Sequence, residues 1–211
     1  MQNPMLAPEQ LLFAYAQGVF PMADDDGAIY WYDPDPRAIL PIDDFHTPAR
    51  LARTVRQKPF EIRLDSAFRS VMEACATPAP GREKSWISPE LVEAYVVLHR
   101  LGFAHSVEAW QDGRLVGGLY GVSINSFFAG ESMFSHATDA SKVALVHLVE
   151  RLRQRQFQLL DIQFMTEHLR QFGAVEVPRA EYRRRLARAL HHPTHFTSAP
   201  PPQKEESNGT Q

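Results

Sequence analysis

The chain has 211 residues, 44% of them hydrophobic and 22% charged, with a net charge of -3 at pH 7. That is the balance of one globular domain with at most a small partner, since domains run to roughly 100–200 residues, and it excludes a long repeat array or a multidomain machine. The lone Cys75 cannot form an intramolecular disulfide, and the sequence offers neither an apolar run near the ~18 residues of a membrane span nor a basic-then-apolar leader, so a cytoplasmic protein with no membrane contact is expected.

At the N-terminus, Pro8 to Gln17 places Leu11, Leu12, Tyr15 and Ala16 on one face ahead of Gly18, which predicts a short helix in need of a partner surface. Phe20 to Pro41 is crowded with Pro, Asp and aromatics and reads as an irregular layer with one extended piece at Ile29 to Tyr32. A boundary near Pro36 separates a small N-terminal subdomain, 1–36, from a main domain, 37–196, and the Pro/Ser/Gly/Glu-rich residues 197–211 read as a disordered tail. Thr47 and Pro48, an N-cap and a first-turn proline, open a helix with Arg50, Arg53 and Arg56 three apart on one face. Phe60 to Leu64 alternates like a strand, Asp65 is the expected cap of a helix to about Ala76, and Thr77 to Lys84 is a Pro/Gly loop; Ser88 and Pro89 then start a helix that ends at Gly102.

The strongest β signal follows. Ala104 to Gln111 alternates, Asp112-Gly113 is a two-residue hairpin turn, Arg114 to Ser123 returns, and Ser126 to Gly130 completes a meander. Asp139 is the expected cap of an apolar helix to Arg155, and Phe157 to Phe164 is an apolar strand interrupted by Asp161 and Gln163. Thr166 and Glu167 open a short helix stopped by Gly173, Ala174 to Val177 is a last strand, and Ala180 to Leu190 is an Arg-rich helix.

Charge is uneven along the chain. Residues 1–50 carry eight Asp or Glu against two basic residues, whereas Arg179, Arg183, Arg184, Arg185 and Arg188 stand together with only Glu181 against them. Attraction to a polyanion depends on local potential and decays over roughly 10 Å in 0.1 M salt, so these arginines are either a solvated helix face or a phosphate-binding one.

Asp161 and Gln163 lie two apart in their strand among Leu159, Leu160, Ile162 and Phe164, so both polar side chains share a face. Half-buried polar groups need partners, because an unpaired one costs ~1–3 kcal/mol. One reading is a structural carboxylate bound to neighbouring backbone or an arginine. The other is an acceptor pair aimed at an amine, with the carboxylate polarising the Gln amide so that its oxygen draws a proton. Glu131, at the expected end of the third meander strand, is either a capping carboxylate or a ligand-facing group. Trp31 and Trp86, both in loops, are either core plugs or platforms for a nucleobase. His136, His168 and His191-His192 lack metal-ligand spacing, and there is no G-x-x-x-x-G-K-[ST], G-x-S-x-G or dinucleotide fingerprint, so no metal and no cofactor are expected.

From Phe60 on, the order strand, two helices, three strands, helix, strand, helix, strand resembles the GNAT N-acetyltransferase fold, which implies an α+β architecture: a central mixed, mostly antiparallel sheet flanked by helices. Those enzymes follow the third strand with a Gly-rich basic loop for pyrophosphate, where this chain has Gly130-Glu131-Ser132-Met133-Phe134-Ser135, read as an acidic turn. An ordinary acyl-CoA N-acyltransferase therefore stands as one alternative, and a non-catalytic RNA-binding module as another.

The runs Gln17-Gly18-Val19-Phe20-Pro21, Trp31-Tyr32-Asp33-Pro34-Asp35-Pro36-Arg37, Trp86-Ile87, Ala104-His105-Ser106-Val107-Glu108, Leu115-Val116-Gly117-Gly118-Leu119-Tyr120-Gly121, Phe128 to Ser135, and Asp161-Ile162-Gln163 closely resemble the bacterial leucyl/phenylalanyl-tRNA-protein transferase family over about residues 6–196. The resemblance implies transfer of Leu, Phe or, less well, Met from aminoacyl-tRNA to the α-amino group of proteins beginning with Arg or Lys, which marks them for N-degron degradation. It implies Gln163 as the base-like acceptor, Asp161 as its polarising partner and Glu131 as an anchor for the acceptor amine. It further implies Trp86 and Trp31 at the 3'-terminal adenosine and Leu119, Met133, Leu145, Leu148, Leu152 and Leu160 around the amino-acid side chain. Arg50, Arg53, Arg56, Arg183 and Arg184 would hold tRNA phosphates, and the enzyme would act as a monomer. Met22 departs from the Trp that commonly follows the F-P pair, and Thr166 from a common Asn.

Overall fold

A computed structural model describes residues 6–24, 27–78 and 84–197. The expected tail from residue 198 on, and residues 79–83 of the Pro/Gly loop, lie outside them. Helix α1 (Pro8–Ala16) leads into an antiparallel ribbon of β1 (Phe20–Ala23) and β2 (Ile29–Tyr32), followed by β3 (Arg37–Ile39), α2 (Ala49–Gln57), β4 (Glu61–Leu64), α3 (Phe68–Ala76) and α4 (Pro89–Arg100). Then come β5 (Ala104–Gln111), β6 (Arg114–Ile124), β7 (Phe127–Ser135), α5 (Ala140–Gln154), β8 (Leu159–Gln163), α6 (Glu167–Arg170), β9 (Val175–Val177) and α7 (Arg179–Leu190).

The main sheet has seven strands in the order β4-β5-β6-β7-β8-β3-β9, antiparallel throughout except for the β7-β8 pair. A meander, a helical crossover and a parallel return give the α+β, GNAT-like arrangement expected from the order of elements. Helices cover both faces. Successive strand residues enter different cores: Tyr120, Phe127, Ala129 and Leu159 pack with α1, α3, α4 and α7, whereas Leu119, Phe128 and Leu160 pack with α5. This is the period-two pattern of a sheet buried on both sides.

The layer from Phe20 to Pro41, expected to be irregular apart from Ile29 to Tyr32, also holds β1 and β3. A three-residue strand is too short to signal itself by alternation; Arg37, Ala38 and Ile39 are extended because they pair with β8 on one side and β9 on the other. Leu11, Tyr15 and Phe20 belong to the same core as α3 and α4, so the N-terminal layer is packed into the main sheet's helical cover.

Two caps differ from expectation. Asp65 does not cap α3: it takes a left-handed φ of 58° and its carboxylate accepts from the Ser106 N–H and binds His105, while Glu108 accepts from the Ala67 N–H at the helix start. Asp139, also left-handed, holds Arg50 and Lys142, and the Ser135 hydroxyl oxygen accepts the Ser141 N–H instead. In both cases a tertiary partner outcompetes the local bond that these short polar side chains otherwise make. Helix α2 begins at Ala49 without a side-chain cap from Thr47, whereas Ser88 caps α4 and Thr166 caps α6 as expected.

Candidate active site

The third meander strand runs on past Gly130 to Ser135, so the segment expected to be an acidic turn is β-structure. Its register carries a bulge: Tyr120 pairs with Ser132 and Gly121 with Gly130, which leaves Glu131 unpaired between them. A bulge turns a strand and re-aims the extra side chain. Gly121 permits the close approach, because a Cβ there would lie 2.2 Å from the Ala129 carbonyl oxygen and inside the Phe128 ring contact.

On the other side of β7, pairing with β8 ends at Ala129 opposite Asp161. Beyond that point the two parallel strands part. The gap is a cavity of about 320 Å³, lined on the β7 side by Gly130, Glu131, Ser132 and Met133 and on the β8 side by Leu160, Ile162 and Gln163. Leu119 of β6, Leu145 and Leu148 of α5, and Trp86 complete a mostly apolar wall, with Phe20, Met22, Phe164, Thr166, His168 and Leu169 at its other edges.

At the polar end, the Gln163 Nε2 donates to Glu131 Oε1 at 3.0 Å, which leaves the amide oxygen Oε1 as the group's acceptor. Gln163 itself is strained into a φ of 58° at the end of β8. The hydroxyls of Tyr15 in α1 and Tyr95 in α4 bond to each other and act on the Glu131 carboxylate in favour of its charged form. Burial pushes the Glu131 carboxyl up to about 8; Asp161 adds to the rise, and the tyrosines and Arg37 oppose it. Burial likewise raises both tyrosine hydroxyls well above their ordinary range.

Asp161 is fully buried beneath this layer. Its Oδ1 accepts from Arg37 Nε and from the Gln163 backbone N–H, both at 2.9 Å, and its Oδ2 accepts from Arg37 Nη2 at 2.6 Å and the Tyr182 hydroxyl at 2.8 Å. Arg37 lies between the rings of Phe20 and Tyr182, 4.7 and 4.5 Å from their centroids, and donates to the Gly18 carbonyl. Burial alone lowers the guanidinium's pKa, but the bonds to Asp161 more than reverse this, so Arg37 is held charged. Asp161 thus reaches Gln163 through the backbone, and the side-chain amide is tied to Glu131.

Of the expected pocket residues, Leu119, Met133, Leu145, Leu148 and Leu160 line the cavity; Leu152 is one turn too far along α5 and sits in the core. Trp86 is at the cavity wall, but Trp31 is 44% exposed on the β1-β2 ribbon and does not reach it. Arg50, Arg53, Arg56, Arg183 and Arg184 are all exposed. Arg50 is tied to Asp139, Arg183 to Asp33 at 2.6 Å, and Arg184 to Glu181. Sequence reasoning missed Arg37, Tyr15, Tyr95 and Tyr182. A buried Asp in an apolar strand announces that it needs a cation, but not which one. Among the described residues no group of three or more His, Cys, Asp or Glu is placed to hold a metal, and no helix is long and apolar enough to cross a membrane.

The fold is an α+β, GNAT-like arrangement in which the sheet splays beside a meander and opens an apolar slot that ends on hydrogen-bond acceptors. Residues 39–187 match the leucyl/phenylalanyl-tRNA protein transferase family, and residues 5–35 match that family's N-terminal domain. The chain belongs to this family and is an aminoacyltransferase. It is 61% identical over 186 residues to the leucyl/phenylalanyl-tRNA-protein transferase of Herpetosiphon aurantiacus, covering 88% of this chain and 95% of that one. It is also 61% identical over 188 residues to that of Phenylobacterium zucineum, covering 88% and 85%. Among solved structures, a ribosomal-protein-alanine N-acetyltransferase from Brucella melitensis biovar Abortus 2308 aligns at 17% identity and a TM-score of 0.37, covering 53% of this chain and 85% of that one.

Proposed function

We propose that the protein, acting as a cytoplasmic monomer, moves Leu or Phe, and less readily Met, from aminoacyl-tRNA onto the α-amino group of proteins beginning with Arg or Lys, so marking them for N-degron degradation. The observation that carries this reading is the cavity itself: an apolar slot of about 320 Å³ with Gln163 and Glu131 at its polar end. A volume at the lower end of ligand pockets suits a single amino-acid side chain. The Leu and Met walls adapt to Leu, Phe and Met side chains and disfavour the β-branched Ile and Val on shape, by ~1–3 kcal/mol.

An aminoacyl ester is already activated, so catalysis consists of positioning ester and amine and removing protons. Gln163 Oε1 accepts from the amine, Asp161 fixes the Gln163 backbone from beneath, and Trp86 contacts the terminal adenosine at the slot's mouth. Exposed Arg53 and Arg56, with Arg50, Arg183 and Arg184, hold phosphates of the acceptor stem without reading its sequence. The test is transfer of radiolabelled Leu, Phe and Ile from charged tRNA to a peptide beginning with Arg and to the same peptide beginning with Ala. Leu and Phe on the Arg peptide alone is the expected result. Binding of the tRNA with no transfer to either peptide would refute the reading.

A further inference from the structure

We propose that Glu131, bonded to Gln163 on the cavity wall, is the base that takes the proton from the acceptor's α-ammonium group, and that Gln163 orients the resulting amine. This rests on the reading above and assigns a step within it.

An ionised carboxylate offers about four acceptor sites. All four on Asp161 are met by Arg37, which contributes two donors, by Tyr182 and by the Gln163 backbone N–H. Asp161 is also fully buried, so it has neither the access nor the capacity to take a substrate proton. The Gln163 amide oxygen can accept a hydrogen bond, but an amide is too weak a base to keep a proton in neutral water. Glu131 is a carboxylate on the cavity wall, aimed by the bulge and bonded to the very amide that would hold the amine.

The charged and titratable groups facing Glu131 are Tyr15 from α1, Tyr95 from α4, Asp161 from β8 and Arg37 from β3. The two tyrosines favour the carboxylate's charged form, so they are positioning residues that tune it without touching substrate. A carboxyl raised to about 8 is matched to an α-ammonium, whose ordinary pKa is about 8, so the proton passes between them at little cost. His168 also lines the cavity, but no hydrogen bond joins it to the Gln163-Glu131 pair.

The α-ammonium gives one proton to Glu131. The neutral amine attacks the ester carbonyl carbon, forming the C–N bond, and the C–O bond to the ribose breaks. The nitrogen's second proton leaves with the ribose oxygen as a hydroxyl, and Glu131 returns its proton to water.

The experiment compares two acceptors with the same Arg-initial sequence, one with its ordinary α-amine and one aminooxy-terminated and therefore already unprotonated at neutral pH. Glu131→Gln is expected to slow transfer to the ordinary peptide on the order of 100-fold or more, the scale of general-base catalysis, and transfer to the aminooxy peptide far less. Equal losses on both would overturn the proposal. With the wild type, kcat should rise with pH through a limb near 8; Tyr15→Phe and Tyr95→Phe should each move that limb to higher pH, and His168→Asn should leave it in place. A limb unmoved in both tyrosine variants, or moved by His168→Asn, would refute it. Failure of the wild type to transfer Leu or Phe to either acceptor would instead refute the underlying reading.

Discussion

Arg37→Met is the sharpest test of how this fold supports its site. Arg37 and Asp161 are 1% and 0% exposed, 124 positions apart in sequence, and joined by two bonds of 2.9 and 2.6 Å. Met keeps most of the volume and removes every donor. Breaking one side of a buried ion pair costs about 3–5 kcal/mol, because a carboxylate is left buried and uncompensated. Tyr182 and the Gln163 N–H still serve Asp161, which favours the lower end, while the Gly18 carbonyl loses its partner for about another 1 kcal/mol. With a urea slope of about 2 kcal/mol per M, a loss of about 4 kcal/mol moves the unfolding midpoint down by about 2 M. Arg37→Met combined with Asp161→Leu should recover most of that stability, since an apolar pair can replace a buried ion pair at little cost. It should not recover transfer activity, because the Gln163 backbone would have lost the acceptor that fixes it. A single variant costing less than about 1 kcal/mol, or a double variant as unstable as the sum of the two singles, would refute this account.

Glu131 is raised when folded, so the native state binds its proton more tightly than the unfolded chain does; its contribution to stability is full below about 4.5 and is lost as pH rises through about 8. Urea midpoints of Glu131→Gln at pH 6 and pH 9 should therefore shift in the variant's favour at the higher pH, on the order of 1–4 kcal/mol. Gly121→Ala puts a methyl 2.2 Å from the Ala129 carbonyl oxygen, where backbone cannot give way; about 1–3 kcal/mol should be lost on urea unfolding, with activity falling as the bulge beside Glu131 is forced open. Arg53→Ala and Arg56→Ala should weaken tRNA binding at low salt and each reduce the slope of log affinity against log salt by about 1, with little effect on kcat at saturating tRNA. Phe196 is 1% exposed, stacks on His105 and gives its carbonyl to Arg151, so Phe196→Ala should cost about 3–5 kcal/mol by thermal or urea unfolding, whereas removing residues 198–211 should leave midpoint and activity unchanged.

What the sequence discloses and what it withholds divide along a physical line. The hairpin from Ala104 to Ser123 is legible because alternation and an Asp-Gly turn point to one structure, and both turn residues take the positive φ that such a turn requires. The long apolar helix α5 and the strand β8 are legible for the same reason. The bulge is not, because Gly130-Glu131-Ser132 interrupts the alternation from which a strand is read, and only the register against β6 shows that the strand continues. Asp65 and Asp139 read as caps and make no capping bond, since Asp65 is taken by His105 and Ser106 of β5 and Asp139 by the side chains of Arg50 of α2 and Lys142, not by the backbone N–H groups at the helix start.

The site follows the same line. Asp161 and Gln163 stand out because a polar pair in an apolar strand contradicts its surroundings, and such contradictions mark function or a partner. What completes them comes from elsewhere: Arg37 from a three-residue strand, Tyr182 from an Arg-rich helix, and Tyr15 and Tyr95 from helices whose periodicity counts a tyrosine as one more apolar position. Periodicity registers the ring and is blind to the hydroxyl. Every one of these donors converges on β7 and β8 from the N-terminal layer or the helical cover, so the N-terminal residues are part of the machinery that sets the carboxylates. It follows that separating residues 6–36 from the rest would remove Tyr15 from Glu131 and the Gly18 carbonyl from Arg37 together, and with them the groups that keep both carboxylates in place.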